Sequence, residues 1–125
     1  MNKQIKFRAF DDGKMIYEKN IQHLTMEDNM ILRLAKFWSN VRNDSIIMQF
    51  TGLKDKKGVE IYDGDILTTE TDKPMIVKWN EKFASWCLYR DGWMFAHWFG
   101  ESCQPEQCIV IGNRYENPEL LQDVV

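Results

Sequence analysis

The sequence predicts an α+β fold, in which a β-hairpin and an amphipathic helix precede a small, strongly bent β-barrel. Three observations support this prediction. The first segment alternates polar and apolar residues, the second repeats apolar residues every three or four positions, and the remainder has short apolar runs between glycine-marked turns. With 125 residues, of which 44% are hydrophobic, the chain can bury a core. It divides into an N-terminal part, 1–45, and a barrel part, 46–125, or forms one continuous unit.

Two elements are predicted in the N-terminal part. Residues 4–10 alternate in polarity, the sequence Asp-Asp-Gly at 11–13 is typical of a tight turn, and residues 14–17 complete a hairpin. From Thr25 to Trp38 the apolar spacing changes to that of an amphipathic helix, with Thr25 as its N-cap. We expect this helix to cover a sheet.

The barrel part is predicted to contain a series of short strands. They lie at residues 46–51, 59–62, 65–69, 75–79, 85–90, 93–99 and 109–113. Asp91-Gly92, which stands between two aromatic runs, is the strongest hairpin signal. Asn117 is expected to cap a short helical turn that begins at Pro118. Short strands at such spacing are typical of a small barrel.

Charge is distributed unevenly along the chain. Residues 1–62 carry 11 basic and 8 acidic side chains, whereas residues 63–125 carry 5 and 11. Because a surface that binds nucleic acid needs clustered lysine and arginine, the acidic second half is a poor candidate. Lys6 and Arg8 in the first hairpin are therefore the candidate nucleic-acid contacts. The alternative interpretation is that Arg8 forms an exposed cross-strand ion pair that sets the register of the hairpin.

Aromatic residues are concentrated in the second half. Four of the five tryptophans, Trp79, Trp86, Trp93 and Trp98, fall within twenty residues. Stacking on nucleic-acid bases would need interleaved basic residues, and the few basic residues here are balanced by acidic ones. We therefore expect core packing or a subunit interface. These tryptophans, together with Lys6 and Arg8, form the candidate interaction surface.

No catalytic, cofactor or metal site is predicted. The only metal candidates are His97, Cys103 and Cys108, with Glu101 or Glu106, whereas zinc needs about four ligands, usually in paired short spacings. The three cysteines are an odd number without paired spacings, which favours free thiols in a reducing compartment. No phosphate-binding glycine loop, nucleophile motif or zinc-protease motif is present. An enzyme is therefore the disfavoured alternative.

Membrane insertion and secretion are also not expected. No apolar run approaches the roughly 18–20 residues that a membrane span needs. The first ten residues lack the apolar core of a signal peptide. A cytoplasmic protein is the prediction.

Three blocks of sequence carry a family resemblance. They are residues 5–17, residues 51–67 (TGLKDKKGVEIYDGDIL) and residues 109–121 (IVIGNRYENPELL). In these blocks the chain is similar to the YopX family of phage and prophage proteins. The matching motif residues are Thr51, Gly52, Leu53, Asp55, Gly58, Tyr62, Gly64, Asp65, Gly112, Asn113 and Tyr115. Their residue types indicate turns and strand packing, and Asp65 is expected to bond the turn that it ends.

The resemblance implies an α+β N-terminal part and an SH3-like β-barrel, in a protein of a phage or prophage that works in the cytoplasm of the bacterial host. It implies no known reaction and no ligand residue. On this basis we expect a non-enzymatic accessory protein that self-associates as a homo-oligomer and binds a phage or host macromolecule. Nucleic-acid binding by the first hairpin is the alternative.

Overall fold

The described part of the chain is built almost entirely from β-strands. The computed structural model describes residues 6–17, 45–70, 73–90, 94–101 and 103–121. The strands are β1 (Phe7–Asp11), β2 (Lys14–Tyr17), β3 (Ile46–Lys54), β4 (Glu60–Tyr62), β5 (Asp65–Thr68), β6 (Met75–Asn80), β7 (Ser85–Arg90), β8 (Met94–Trp98) and β9 (Ile109–Asn113). Two short 3-10 helices, Pro105–Gln107 and Pro118–Leu121, complete it. The chain divides into two units, Met1–Gln49 and Phe50–Val125.

The predicted α+β fold class is wrong. Within the described residues no helix is longer than Pro118–Leu121, none is long and apolar enough to cross a membrane, and the strands pair antiparallel. The helix predicted from Thr25 to Trp38 lies outside these residues, as does the predicted turn Asp91-Gly92. The described fold is therefore all-β.

In the first unit, β1 and β2 form the hairpin that the sequence predicts. Asp12 and Gly13 make its two-residue turn with φ angles of 49° and 77°. Two positive φ angles are typical of a type I′ turn, whose twist matches that of the flanking strands. On its other side β1 pairs with the first residues of β3, where Phe7 lies opposite Gln49. Strand β1 therefore has a neighbour on each side, and Ala9 within it is fully buried.

In the second unit, five strands form an open antiparallel sheet in the order β8-β7-β6-β5-β9. The last residues of β3 pair with β4 instead, with a register shift between Phe50 and Lys54. Strands β8 and β9 are thus the edges of an open half-barrel. The predicted SH3-like barrel is accordingly corrected to a half-barrel, because a full barrel would require a further pairing at these edges.

The chain leaves one sheet and enters the next at the corner Asp63-Gly64. Gly64 has a φ angle of 90°, which glycine adopts without the steric cost that a Cβ brings. Its N–H donates to Val77 O at 2.8 Å, and its carbonyl oxygen accepts the Arg114 N–H at 2.9 Å. These bonds tie the corner to β6 and to the residue after β9, so β4 and β5 diverge instead of forming a hairpin.

A hydrophobic core cluster of the second unit includes residues on one face of the five-stranded sheet. The register places Leu67 opposite Met75 and Val77 opposite Leu88, so these side chains share that face. Burying each of them contributes about 1.5–3 kcal/mol. The buried members of this core are Ile61, Leu67, Met75, Val77, Leu88, Phe99, Cys103 and Cys108.

Gly112 of β9 packs closely against the turn that follows the strand. A Cβ at this position would lie 2.5 Å from Asn117 Oδ1 and 3.0 Å from Asn117 Cβ. We expect Gly112→Ala to displace Asn117, whose Oδ1 accepts the Asn113 N–H at 3.2 Å. The free energy of unfolding in urea should fall by about 1–2 kcal/mol. The same substitution should cost less in the Asn117→Ala background, and an equal cost would exclude this contact as the cause.

Candidate functional site

The basic residues predicted to contact nucleic acid lie in the first unit. Lys6 is half-buried, whereas Arg8 on β1 is only 2% exposed. Arg8 Nη1 donates to Tyr17 Oη at 3.4 Å, and the guanidinium carbon lies 5.8 Å from the centre of the Tyr17 ring. The predicted exposure of Arg8 is wrong, because the side chain is buried and its guanidinium packs against the ring of Tyr17, the residue opposite it on β2. The guanidinium is therefore not displayed on the surface.

Two aromatic pairs lie near the end of the β6–β7 hairpin, and we call their members, Trp79, Phe83, Trp86 and Trp98, the aromatic tip. Trp79 lies directly opposite Trp86, and their ring centres are 5.2 Å apart in an edge-to-face arrangement. Phe83, in the turn, contacts Trp98 of β8 in the same way at 4.7 Å. Such pairs contribute about 0.5–1.5 kcal/mol beyond the area that they bury. Trp93 lies outside the described residues.

Each aromatic pair combines a half-buried tryptophan with an exposed ring. Trp86 is half-buried and packs against the core, and Trp98 is also half-buried. In contrast, Trp79 is 45% exposed and Phe83 is 50% exposed. Phe83 is not among the predicted site residues, although a large aromatic residue beside the charged pair Glu81-Lys82 was an available signal. Two partly exposed aromatic rings therefore lie near the turn between β6 and β7.

Hydrogen bonds hold the turn that carries Phe83. Asn80 Oδ1 accepts the Phe83 N–H at 3.0 Å, and Asn80 Nδ2 donates to Tyr89 Oη at 2.8 Å. Lys82 Nζ lies 5.8 Å from the centre of the Phe83 ring, which places a cation beside the exposed aromatic surface. The turn therefore presents Phe83 in a defined position.

Two of the metal candidates come together as a pair that we call the buried dithiol. Cys103 Sγ and Cys108 Sγ are 3.6 Å apart, near the two ends of the 3-10 helix Pro105–Gln107. Both residues are buried, and neither forms a disulfide. His97 lies on β8 opposite Leu88. In the ranges that the structure describes, no three His, Cys, Asp or Glu side chains are grouped so that they could hold a metal ion.

The third cysteine has a different environment. Cys87 is fully buried on β7, opposite Lys78 of β6 and Trp98 of β8. Burial raises the pKa of the Cys87 thiol, and a hydrogen bond with Tyr89 offsets part of this effect.

Asp55 connects the turn after β3 to strand β9. Its Oδ1 accepts the N–H groups of Lys57 and Val59 at 2.8 and 2.9 Å, and its Oδ2 accepts the Val110 N–H at 2.9 Å. The side chain is only 6% exposed. Both carboxylate oxygens are therefore occupied by backbone groups, which is a structural arrangement and not one of acid–base chemistry.

The other motif residues also serve the backbone. Asp65 Oδ2 accepts the Tyr62 N–H at 2.7 Å, which confirms that Asp65 bonds the turn that it ends. Asn113 Oδ1 accepts the N–H groups of Tyr115 and Glu116 at 3.0 and 2.9 Å. The motif glycines Gly52, Gly58 and Gly64 have φ angles of 89°, 81° and 90°.

Comparison with known proteins places these motif residues in a family. The family model described as "YopX protein" matches residues 6–122. The chain belongs to the YopX family. The match spans the motif residues and the aromatic tip, and it confirms the resemblance predicted from the three sequence blocks.

A solved structure shares the fold of this YopX-family chain. The crystal structure of protein EF1440 from Enterococcus faecalis is similar over 97% of this chain and 100% of that chain, with a TM-score of 0.61 and 24% sequence identity. At this identity the similarity shows a common fold alone. No curated protein matches the chain in sequence.

Proposed function

We propose that this YopX-family protein is a non-enzymatic binding module that self-associates through the aromatic tip. The observation that carries the proposal is the exposure of Trp79 and Phe83, at 45% and 50%, around one hairpin turn. Aromatic residues are enriched in protein interfaces because they bury a large apolar area with little loss of conformational freedom. Truncating buried tryptophans there costs more binding energy than truncating most other residues.

The fixed geometry of the turn supports a role in binding. The Asn80 side chain bonds both the Phe83 N–H and the Tyr89 hydroxyl, and edge-to-face contacts orient the two exposed rings. Less side-chain freedom is lost on association when the contact residues are already ordered. A larger share of the interaction energy is then available for binding.

The charges of the turn favour a second copy of the chain as the occupant. Glu81 and Lys82 are adjacent and exposed beside the aromatic rings. A two-fold symmetric interface uses the same patch from both subunits. Lys82 of one copy can therefore face Glu81 of the other, and opposite charges at the rim fix the register of association.

The wider role that we propose is that of a phage or prophage accessory protein. The similarity of the motif blocks to phage and prophage proteins supports this role. Free thiols are expected in the reducing cytoplasm of a bacterial host, where such a protein would meet a phage or host macromolecule.

The test is the mass of the protein in solution, measured by light scattering across micromolar concentrations. We expect the wild type to be larger than one chain, and Trp79→Ser with Phe83→Ser to weaken association by about tenfold or more. Val59→Ser is the matched control, because Val59 is equally exposed, at 46%, on the separate turn after β3. A monomeric wild type, or an equal effect of Val59→Ser, would contradict the proposal.

Charge reversal tests the two-fold arrangement separately. Glu81→Lys alone and Lys82→Glu alone should each weaken self-association, because like charges then face each other across the axis. An equimolar mixture of the two variants should restore association, since every facing pair is again opposite in sign. If the mixture remains as weak as either variant, the turn does not lie at a two-fold interface.

A further inference from the structure

The buried dithiol has no part in the proposed function. Cys103 is 4% exposed and Cys108 is fully buried, and their sulfur atoms are 3.6 Å apart. A disulfide holds its sulfur atoms at about 2.05 Å, so the two atoms would have to approach by about 1.5 Å. The Cys108 thiol donates to Gln104 O at 3.4 Å, which fixes the orientation of its side chain.

The backbone holds the two cysteines in place from both sides. Cys103 O accepts the Gly100 N–H at 2.9 Å, and Cys103 forms a bridge with Phe99. Cys108 N–H donates to Pro105 O at 3.0 Å, and Cys108 O accepts the Lys56 N–H at 2.9 Å. Because the sulfur atoms already touch in the reduced protein, joining them requires little further ordering of the chain.

We propose that Cys103 and Cys108 form a site of reversible oxidation, at which hydrogen peroxide converts the dithiol to a disulfide. First, the Cys103 thiolate attacks one peroxide oxygen. The S–O bond forms, the O–O bond breaks, and the departing hydroxide takes up a proton to become water. The Cys103 sulfur is then a sulfenic acid.

The Cys108 thiolate next attacks the Cys103 sulfur. The S–S bond forms, the S–O bond breaks, and the hydroxyl group leaves and is protonated to water. In total the two thiols give up two electrons and two protons, which reduce one hydrogen peroxide to two waters. An external dithiol reverses the change by thiol–disulfide exchange.

The position of the dithiol determines which thiol reacts first. Cys103 retains a small exposure and lies beside the exposed residues Glu101 and Gln104, whereas Cys108 has none. Glu106 and Gln107 of the 3-10 helix are also exposed, so the short segment between the two cysteines includes surface residues. Such segments open locally without unfolding of the whole protein, which gives a small oxidant access.

The test oxidises the full chain with hydrogen peroxide, alkylates it in denaturant and digests it with trypsin. Cys103 and Cys108 share one tryptic peptide, residues 91–114, and Cys87 lies in another, residues 83–90. We expect the first peptide to lose two hydrogen atoms and to carry no alkyl group, and the second to be alkylated. Dithiothreitol should restore both alkylation sites. Oxidation of Met94 adds oxygen but leaves the alkyl count unchanged.

Two variants complete the test. Cys87→Ser should oxidise like the wild type, because Cys87 takes no part. Cys108→Ser removes the second thiol, so dimedone should trap a sulfenic acid at Cys103. If that variant does not fold, the wild-type peptides decide alone. Two alkyl groups on peptide 91–114 after peroxide, or a disulfide between the two peptides, would overturn the proposal.

Discussion

Replacing Asp55 with alanine is expected to lower the free energy of unfolding by about 3–4 kcal/mol. The carboxylate accepts three backbone N–H groups, from Lys57, Val59 and Val110. Hydrogen bonds to a charged acceptor are stronger than those between neutral groups. Alanine leaves these three donors without their acceptor. It also removes the connection between the turn after β3 and strand β9, which are distant in the sequence.

Two further substitutions distinguish the loss of these three hydrogen bonds from the effect on stability of removing any negative charge. Asp55→Asn keeps one oxygen for the turn amides but places an NH₂ group against the Val110 N–H, so we expect a loss of about half that of Asp55→Ala. Glu106→Ala removes an exposed acid and should change stability by less than about 0.5 kcal/mol. Urea denaturation measures all three. An equal loss of unfolding free energy in Asp55→Ala and Glu106→Ala would show that the three hydrogen bonds of Asp55 do not stabilise the fold.

Local signals were sufficient to predict most strands. The predicted strand at 85–90 is β7, and the predicted strand at 109–113 is β9, with identical bounds. Both lie between turn residues, and their alternating or apolar patterns depend only on near neighbours in the chain. The first hairpin is likewise specified by Asp12-Gly13, whose positive φ angles are a property of two adjacent residues.

Pairing between distant strands could not be predicted in the same way. A glycine turn has the same sequence whether the strands beside it pair or diverge. The strands beside Gly64, β4 and β5, diverge. The corner at Gly64 is held by bonds to Val77 and Arg114, which are distant in sequence. The barrel prediction was based on the spacing of short strands, which does not distinguish a barrel from an open half-barrel.

The candidate site shows the same division between local and distant information. The concentration of tryptophans was visible in the sequence. The difference in exposure between Trp79 and Trp86 was not, because it depends on which of the two rings packs against the core. Arg8 was expected at the surface because it is charged, yet it is buried and packs against Tyr17, a contact set by the pairing of β1 with β2. The contact between Cys103 and Cys108 depends on the intervening 3-10 turn, which their spacing does not predict.

Replacing Asn113 with alanine is expected to lower the free energy of unfolding by about 2–3 kcal/mol, measured in urea. Asn113 is 5% exposed, and its Oδ1 accepts the N–H groups of Tyr115 and Glu116. Its Nδ2 donates to Glu116 Oε1 at 2.8 Å. The alanine variant loses all three bonds, and the turn that follows the edge strand β9 loses the side chain that organises it.

An exchange of donor and acceptor isolates the bond between Asn113 and Glu116. Asn113→Asp keeps an oxygen for the turn amides but sets a carboxylate against the Glu116 carboxylate, so we expect a loss of about 1 kcal/mol. Glu116→Gln alone should be nearly neutral, because its amide oxygen still accepts the bond. The double variant should recover most of the loss, since the glutamine NH₂ can donate to the aspartate. If it remains as unstable as Asn113→Asp, repulsion between the two carboxylates is not the cause of the loss.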